Sequence, residues 1–199
     1  MRSATSDEEL MELAVAGSED AFQELAQRLR PRVRSFLWHL GCRRSAVDDL
    51  TQETLIRLWV HRRAYRPGRP VRPYLLGIAK NAYLTHCRQT VHETGAAERP
   101  ATPDGLDALL LRDGWQVEGP ESVLLARYRE HRLAQAVASL APGERLVFVL
   151  KHHEDLRYHE IASMLGIAEG TVKSRMFRAV RALRRALPDL EPGGPKEEC

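Results

Sequence analysis

Cysteine is scarce in this chain, and several features that would assign the chain to common protein classes are missing. Among 199 residues there are three cysteines, Cys42, Cys87 and Cys199, which lie far apart and form no CxxC pair. We therefore expect a reducing compartment and no disulfide framework. No apolar run approaches the length that crosses a bilayer, and the N-terminus is acidic where a signal peptide would be basic and then apolar. These absences predict a soluble, cytoplasmic protein without membrane insertion.

Motifs for catalysis and for metal binding are also missing. The chain has no glycine-rich phosphate loop, no GxSxG and no HExxH, so we expect neither an enzyme nor a bound cofactor or metal. His152, His153 and His159 are close enough in sequence to bind a metal ion. Solvated side chains beside Glu154 and Asp155 are the favoured interpretation of this group.

What the sequence does have is a strong segregation of charge. The formal net charge is only +3, but residues 54–92 contain eight Lys or Arg and no acid, whereas residues 90–126 contain seven acids and two Arg. Residues 170–188 are basic again, with six Lys or Arg and no acid. Two basic segments separated by an acidic one are typical of a protein that grips a polyanion at two places.

The second basic segment belongs to a predicted helix-turn-helix. Ile161, Ala162 and Leu165 mark one face of a short helix, and Gly166 follows where helices commonly end in a left-handed residue. A second helix is predicted to begin near Glu169. Its basic residues fall largely off its apolar face, which comprises Val172, Met176, Val180 and Leu183. The alternative is an ordinary helical hairpin, but the small Ala162, the turn glycine and the one-signed second helix favour DNA binding.

The rest of the chain also has helical periodicity, and 43% hydrophobic residues in 199 suit two small domains. Helices are predicted over residues 7–40, with a division at Gly17 and Ser18, and from about Ser45 and Pro73. We therefore predict an all-α protein of two small helical domains joined by a flexible linker. The predicted ranges are a first domain at 7–90, an acidic linker at 91–121, a winged-helix-like four-helix domain carrying the helix-turn-helix at 122–188, and a disordered tail at 189–199.

Three segments together resemble the extracytoplasmic-function group of the sigma-70 family. They are AVDDLTQETLIRLW at 46–59, VRPYLLGIAKNAYLTHCR at 71–88, and residues 140–187, which include the helix-turn-helix. They follow the family's order and spacing and span most of the chain. The resemblance implies a specificity subunit of bacterial RNA polymerase whose first domain binds the minus-ten promoter element and the polymerase clamp. Its second domain would read the minus-thirty-five element, and an anti-sigma protein is implied as a further partner.

The resemblance also implies site residues in the first domain. Asp48, Asp49, Gln52 and Glu53 would dock on a basic-lined coiled coil of the core polymerase, although without the family a solvated acidic face would be favoured. Cations would neutralise phosphates of the non-template strand, and Asn81 would offer both a donor and an acceptor to a base edge. Tyr65 is preferred to Tyr74 and Tyr83 as a stacking face. The DNA-binding candidates of this domain are Arg62, Arg63, Tyr65, Arg66, Arg69, Lys80, Asn81 and Arg88.

In the second domain the resemblance places DNA contacts on the second helix of the helix-turn-helix. Arg175 and Arg178 are assigned to base edges. Phosphate contacts are assigned to Lys173, Arg181 and Arg184. Besides Arg184, the DNA-binding candidates of this domain are Thr171, Lys173, Ser174, Arg175, Arg178 and Arg181.

Three departures from the family pattern are visible. Tyr74 stands where Trp is common and Thr85 where an acid is common, which bears on the minus-ten preference. Arg157 stands where Ser or Thr is frequent, so a helix cap worth about 1 kcal/mol is predicted to be absent.

A stand-alone helix-turn-helix regulator is the alternative function. The acid-free segment 54–92 argues against it, because a sensor domain has no need of a second nucleic-acid surface.

Overall fold

A computed structural model describes residues 5–94 and 132–188 of the chain, without the side chains of 91–94. Every regular element within these residues is a helix, which confirms the predicted all-α class. They form two compact units, one from the described parts of Met1–Trp38 and Arg43–Glu98, the other from those of His39–Cys42 and Arg99–Cys199. The predicted tail and, beyond residue 94, the predicted linker lie outside the described residues, as does the predicted start of the second domain at 122.

The first unit is built from helices separated by short turns. Gly17, with a φ of 104°, divides the first two helices at the predicted place, since this conformation favours glycine. Helical spacing directs apolar side chains inward, and Met11, Phe36 and Leu58 are fully buried. The elements are α1 (Asp7–Val15), α2 (Glu19–His39), α3 (Arg44–Val60), a single turn of 3-10 helix (Arg62–Ala64) and α4 (Val71–Thr94).

Helix α4 begins two residues before the predicted Pro73 because its N-terminus is capped from a distant helix. The Val71 N–H donates to Glu8 Oε1 at 3.2 Å, and the Gly68 N–H donates to Glu12 Oε1 at 3.3 Å. Unpaired N–H groups at a helix start need acceptors. Two carboxylates of α1 therefore hold both the loop that precedes α4 and its first turn.

The second unit contains the predicted helix-turn-helix. Gly166 ends the first of its two helices with a left-handed φ of 65°. The Gly166 N–H donates to Ser163 O at 3.4 Å and the Ile167 N–H donates to Ala162 O at 3.1 Å, the pair of bonds that defines a Schellman motif. The described helices are α5 (132–139), α6 (Pro142–His152), α7 (Tyr158–Leu165) and α8 (Glu169–Ala186).

The two helices of this motif pack through small and branched side chains. Ile161 and Val172 are fully buried, and Ala162 is 8% exposed. Arg157 stands at the cap position of α7 as predicted, and its guanidinium has no acceptor to offer. Glu160 nevertheless accepts the Arg157 N–H at 2.6 Å, which supplies half of a capping box. The predicted absence of a cap is therefore only partial.

Candidate nucleic-acid interfaces

Helix α8 separates a buried apolar face from an exposed basic one. Val172, Met176, Ala179 and Leu183 are buried, as the spacing predicts for three of them. Among the predicted DNA contacts, Thr171 and Arg175 are half-buried, and the others are exposed: Lys173, Ser174, Arg178 and Arg181. The Ser174 hydroxyl donates to Thr171 O at 3.0 Å. Four of the six predicted residues are thus exposed on α8, and Thr171 and Arg175 lie half-buried at the margin of its apolar face.

Lys173 is held by an acid one turn away on the same helix. Its Nζ lies 2.8 Å from Oε1 of Glu169. The hydrogen bond and the charge of Glu169 raise the pKa of Lys173, and the same contact lowers the pKa of Glu169. Both groups therefore stay charged at neutral pH, and any anionic partner would compete with Glu169 for the ammonium.

Arg178 is held by an acid from another helix. Its Nε lies 2.9 Å from Oε1 of Glu144 in the first turn of α6, and the side chains are 59% and 19% exposed, respectively. An ion pair this exposed contributes about 0.2–1 kcal/mol to stability. The main effect of this ion pair is therefore to hold the guanidinium of Arg178 in one position beside α6. Glu144 carries no role in the sequence interpretation, because nothing local relates it to α8.

Phe177 is a second residue that the sequence analysis missed. It is 68% exposed, although large apolar side chains are usually buried. Residue 177 lies one helical turn from both Lys173 and Arg181, so it shares their side of α8. The signal was present in the spacing, because 177 does not fall on the face formed by Val172 and Met176.

In the first unit, the predicted basic loop is a tight turn that displays its arginines. The Arg69 N–H donates to Arg66 O at 3.3 Å, and Gly68 between them has a φ of 75°. With Pro67 at the second position, these features match a type II turn. Arg63, Arg66 and Arg69 are exposed. The turn therefore presents cations outward from a fixed backbone.

Tyr65 does not offer the stacking face that was predicted for it. Its side chain is 4% exposed, and its ring packs against Tyr74 with centroids 5.6 Å apart. The hydroxyl donates to the main-chain oxygen of Arg69. Burial, together with the charges of Glu8 and Glu12, raises the pKa of this hydroxyl, so it remains a donor at neutral pH. In this structure Tyr65 is a buried residue that supports the backbone of the basic turn through its hydroxyl.

Arg62 is likewise engaged within the protein. Its guanidinium lies 3.7 Å from the centroid of the Trp59 ring, a cation–π contact. Nη1 also donates to Trp59 O at 2.8 Å, at the carbonyl end of α3 where a cation is favoured. Arg62 is therefore half-buried, whereas Arg63 beside it is exposed.

Helix α4 divides its predicted contacts in the same way. Asn81 and Arg88 are exposed, and Arg88 Nε donates to Leu84 O at 3.2 Å. Lys80 is half-buried, and desolvation lowers the pKa of its ammonium. Tyr83 is 1% exposed and belongs to the core. Of the three contacts predicted on this helix, Asn81 and Arg88 are thus the two that are exposed.

The predicted acidic face lies on α3 and is partly neutralised within the unit. Asp48 forms an ion pair with Arg34 of α2, and Glu53 Oε1 lies 2.5 Å from Nη2 of Arg57. Asp49 and Gln52 are exposed, whereas Glu53 is half-buried. Asp49 therefore carries the most prominent negative charge that this surface offers to a partner.

The described residues offer neither a helix suited to span a membrane nor a cluster of side chains suited to hold a metal ion. In neither range, 5–94 or 132–188, does a helix combine the length and apolar character that crossing a bilayer requires. The same ranges contain no group of three or more His, Cys, Asp or Glu arranged to hold a metal ion. Of the predicted histidine group, His152 packs on Phe148 with centroids 4.6 Å apart, and desolvation lowers its pKa.

Known proteins match the chain in both units. Residues 25–92 match the family described as Sigma-70 region 2, and residues 130–183 match Sigma-70, region 4. The RNA polymerase sigma factor CarQ of Myxococcus xanthus is 30% identical over 182 residues, covering 88% of this chain and 94% of that protein. The ECF RNA polymerase sigma factor SigL of Mycobacterium tuberculosis is 32% identical over 189 residues, covering 88% and 96%.

Two solved structures are similar in fold. The sigma factor RpoE, in complex with the anti-sigma factor NepR from Bartonella quintana, has a TM-score of 0.65 at 22% identity and covers 87% of this chain and 100% of that chain. CnrH, in complex with the cytosolic domain of CnrY, has a TM-score of 0.63 at 24% identity and covers 93% and 99%. At these identities the likeness concerns the fold alone.

Proposed function

The chain belongs to the extracytoplasmic-function group of the sigma-70 family, and we propose that it directs promoter recognition by bacterial RNA polymerase through three separate surfaces. The observation that carries this function is the pair of family matches, regions 2 and 4, in one chain. Relatives that are 30% and 32% identical over nearly their whole length carry the same function in their names. The protein would act in the cytoplasm by binding and positioning, without catalysis.

The first surface is the exposed side of α8, for the minus-thirty-five element. An α-helix fits the major groove of B-DNA, and guanidinium forks bind guanine bidentately. We assign Arg175 and Arg178 to base edges, and Lys173 and Arg181 to phosphates. The exposed ring of Phe177 adds an apolar group, which can contact the methyl group of thymine.

The second surface is the turn before α4 together with that helix, for the minus-ten element. Arg63, Arg66 and Arg69 project from a fixed turn and are suited to phosphates of an unpaired strand. Asn81 is exposed on α4 and can read a base edge with its amide. Arg62 and Tyr65 are proposed to support this surface from within, since both are engaged by the fold.

The third surface is the acidic face of α3, for the core polymerase. Asp49 and Gln52 are exposed and would meet a basic partner, with Asp48 and Glu53 at their sides. An anti-sigma protein is a further expected partner, as in the complex of RpoE with the anti-sigma factor NepR. A stand-alone regulator is not favoured, because region 2 occupies residues 25–92.

Runoff transcription with purified bacterial core polymerase tests the proposal directly. Adding this protein should produce promoter-specific transcripts from fragments of its own genome, and the protein should co-purify with core. The controls are core polymerase alone and core polymerase with the Arg178→Ala variant of this protein. The variant should lose promoter discrimination while it still binds core. If no genomic fragment supports initiation and no complex with core forms, the proposed function is wrong.

A further inference from the structure

We propose that Gly143 and Glu144, adjacent residues in the first turn of α6, position the two arginines of α8 and so determine selectivity at the minus-thirty-five element. The inference rests on the proposed function above and extends it to a helix outside the helix-turn-helix. Neither residue is required to touch DNA. Each acts through an arginine, so both are positioning residues.

Glu144 holds Arg178 by one edge of its guanidinium. The contact joins Oε1 of Glu144 to Nε of Arg178 at 2.9 Å. The carboxylate side chain is 19% exposed and the arginine 59%, so the acid sits against the domain while the guanidinium reaches solvent. A guanidinium has five N–H donors in a planar fork, and a contact at Nε leaves the four on Nη1 and Nη2. Those four can still bind guanine O6 and N7.

Arg175 rests against the neighbouring Gly143. A Cβ added at residue 143 would lie 3.3 Å from Nη1 and 3.4 Å from Cζ of Arg175, at the tight end of van der Waals contact. Glycine therefore leaves the space that the guanidinium occupies. One turn of α6 thus sets the resting positions of both arginines assigned to base edges.

This arrangement favours base contacts over phosphate contacts. A free arginine loses considerable rotamer freedom when it binds, and an arginine already held in one position loses less. Glu144 also cancels the charge of Arg178, which weakens attraction to phosphates along any DNA sequence. The hydrogen-bonding geometry of the outer fork is unchanged, so discrimination between bases is retained while general attraction decreases.

The test uses holoenzyme assembled from the full chain and core polymerase, with promoters carrying each single-base change in the minus-thirty-five element. For each position, the initiation rate on the preferred promoter is divided by the rate on the changed one. Arg178→Ala should lower this ratio about tenfold at the position that Arg178 reads. Glu144→Met, which keeps the length of the side chain but has no oxygen acceptor, should lower it about threefold or more at that same position.

Glu144→Gln is the matched variant, because it removes the same charge but keeps an oxygen that accepts from Nε. It should retain most of the discrimination that Glu144→Met loses. In a double variant, adding Glu144→Met to Arg178→Ala should lower the ratio of initiation rates little further. If Glu144→Met leaves the ratio unchanged where Arg178→Ala lowers it, or if the Met and Gln variants behave alike, the positioning role is overturned and the proposed function stands. If the unaltered protein directs no initiation, the proposed function fails, and this inference fails with it.

Discussion

Replacing Tyr65 by Phe should loosen the basic turn while leaving an aromatic ring in place. The hydroxyl donates to the main-chain oxygen of Arg69 and so ties the end of the turn to its beginning. One such bond contributes about 1 kcal/mol net, which corresponds to about a fivefold change in the local opening equilibrium. The ring itself, 4% exposed and packed on Tyr74, should keep its place.

Hydrogen exchange followed by mass spectrometry measures this opening. The amides of Gly68 and Val71, whose N–H groups donate to α1 carboxylates, should exchange about fivefold faster in Tyr65→Phe. Tyr74→Phe is the matched control, because that hydroxyl donates to His61 O at 2.8 Å, outside the turn. Unchanged protection in Tyr65→Phe would refute the supporting role of the hydroxyl. If Tyr65→Phe leaves amide protection unchanged but no longer supports promoter opening, the hydroxyl would instead be assigned a contact with DNA.

Three further predictions concern surface charge, glycine and pH. Asp49→Ala should weaken core binding up to about fivefold, and more than Asp48→Ala, because Arg34 already neutralises Asp48; competition for labelled core measures both. Gly143→Ala should raise unfolding free energy by up to about 1 kcal/mol, while promoter assays show lower selectivity at the base that Arg175 reads. Burial raises the pKa of the Tyr74 hydroxyl above its ordinary value of 10.0, so its contribution to the free energy of unfolding is complete below that pH and is lost as the pH rises beyond it; Tyr74→Phe should flatten this decline in denaturant titrations above about pH 10.

The helix-turn-helix was predictable from sequence because its determinants are local. Gly166 ends one helix, Ala162 allows close packing and Val172 points inward, and all three lie within one short stretch of chain. Helical periodicity alone fixes which side chains share a face. The division at Gly17 was correct for the same reason.

The environment of the basic turn could not be predicted, because distant residues create it. Glu8 and Glu12 bind backbone groups 63 and 56 positions away, and helical spacing carries no information about such pairs. The sequence therefore predicted that Tyr65, beside a proline-rich turn, would be an exposed stacking face, although the turn folds over it. The pairing of Glu144 with Arg178 was missed for a related reason, since it joins two helices whose packing no local pattern specifies.

The number of cations in the second basic segment overstates the charge that it offers to DNA. Of the six Lys and Arg in residues 170–188, Lys173 is paired with Glu169 and Arg178 with Glu144. Each phosphate that a cation neutralises changes log K by about 0.9 per tenfold change in salt, and this attraction is the same for every sequence. A cation held by an acid contributes less to it, whereas a guanidinium with donors left over still distinguishes bases. Because the phosphate attraction enters specific and non-specific binding alike, pairing these cations with acids lowers the affinity for every DNA sequence, whereas the ratio of specific to non-specific binding depends on the donors that Arg178 keeps for bases.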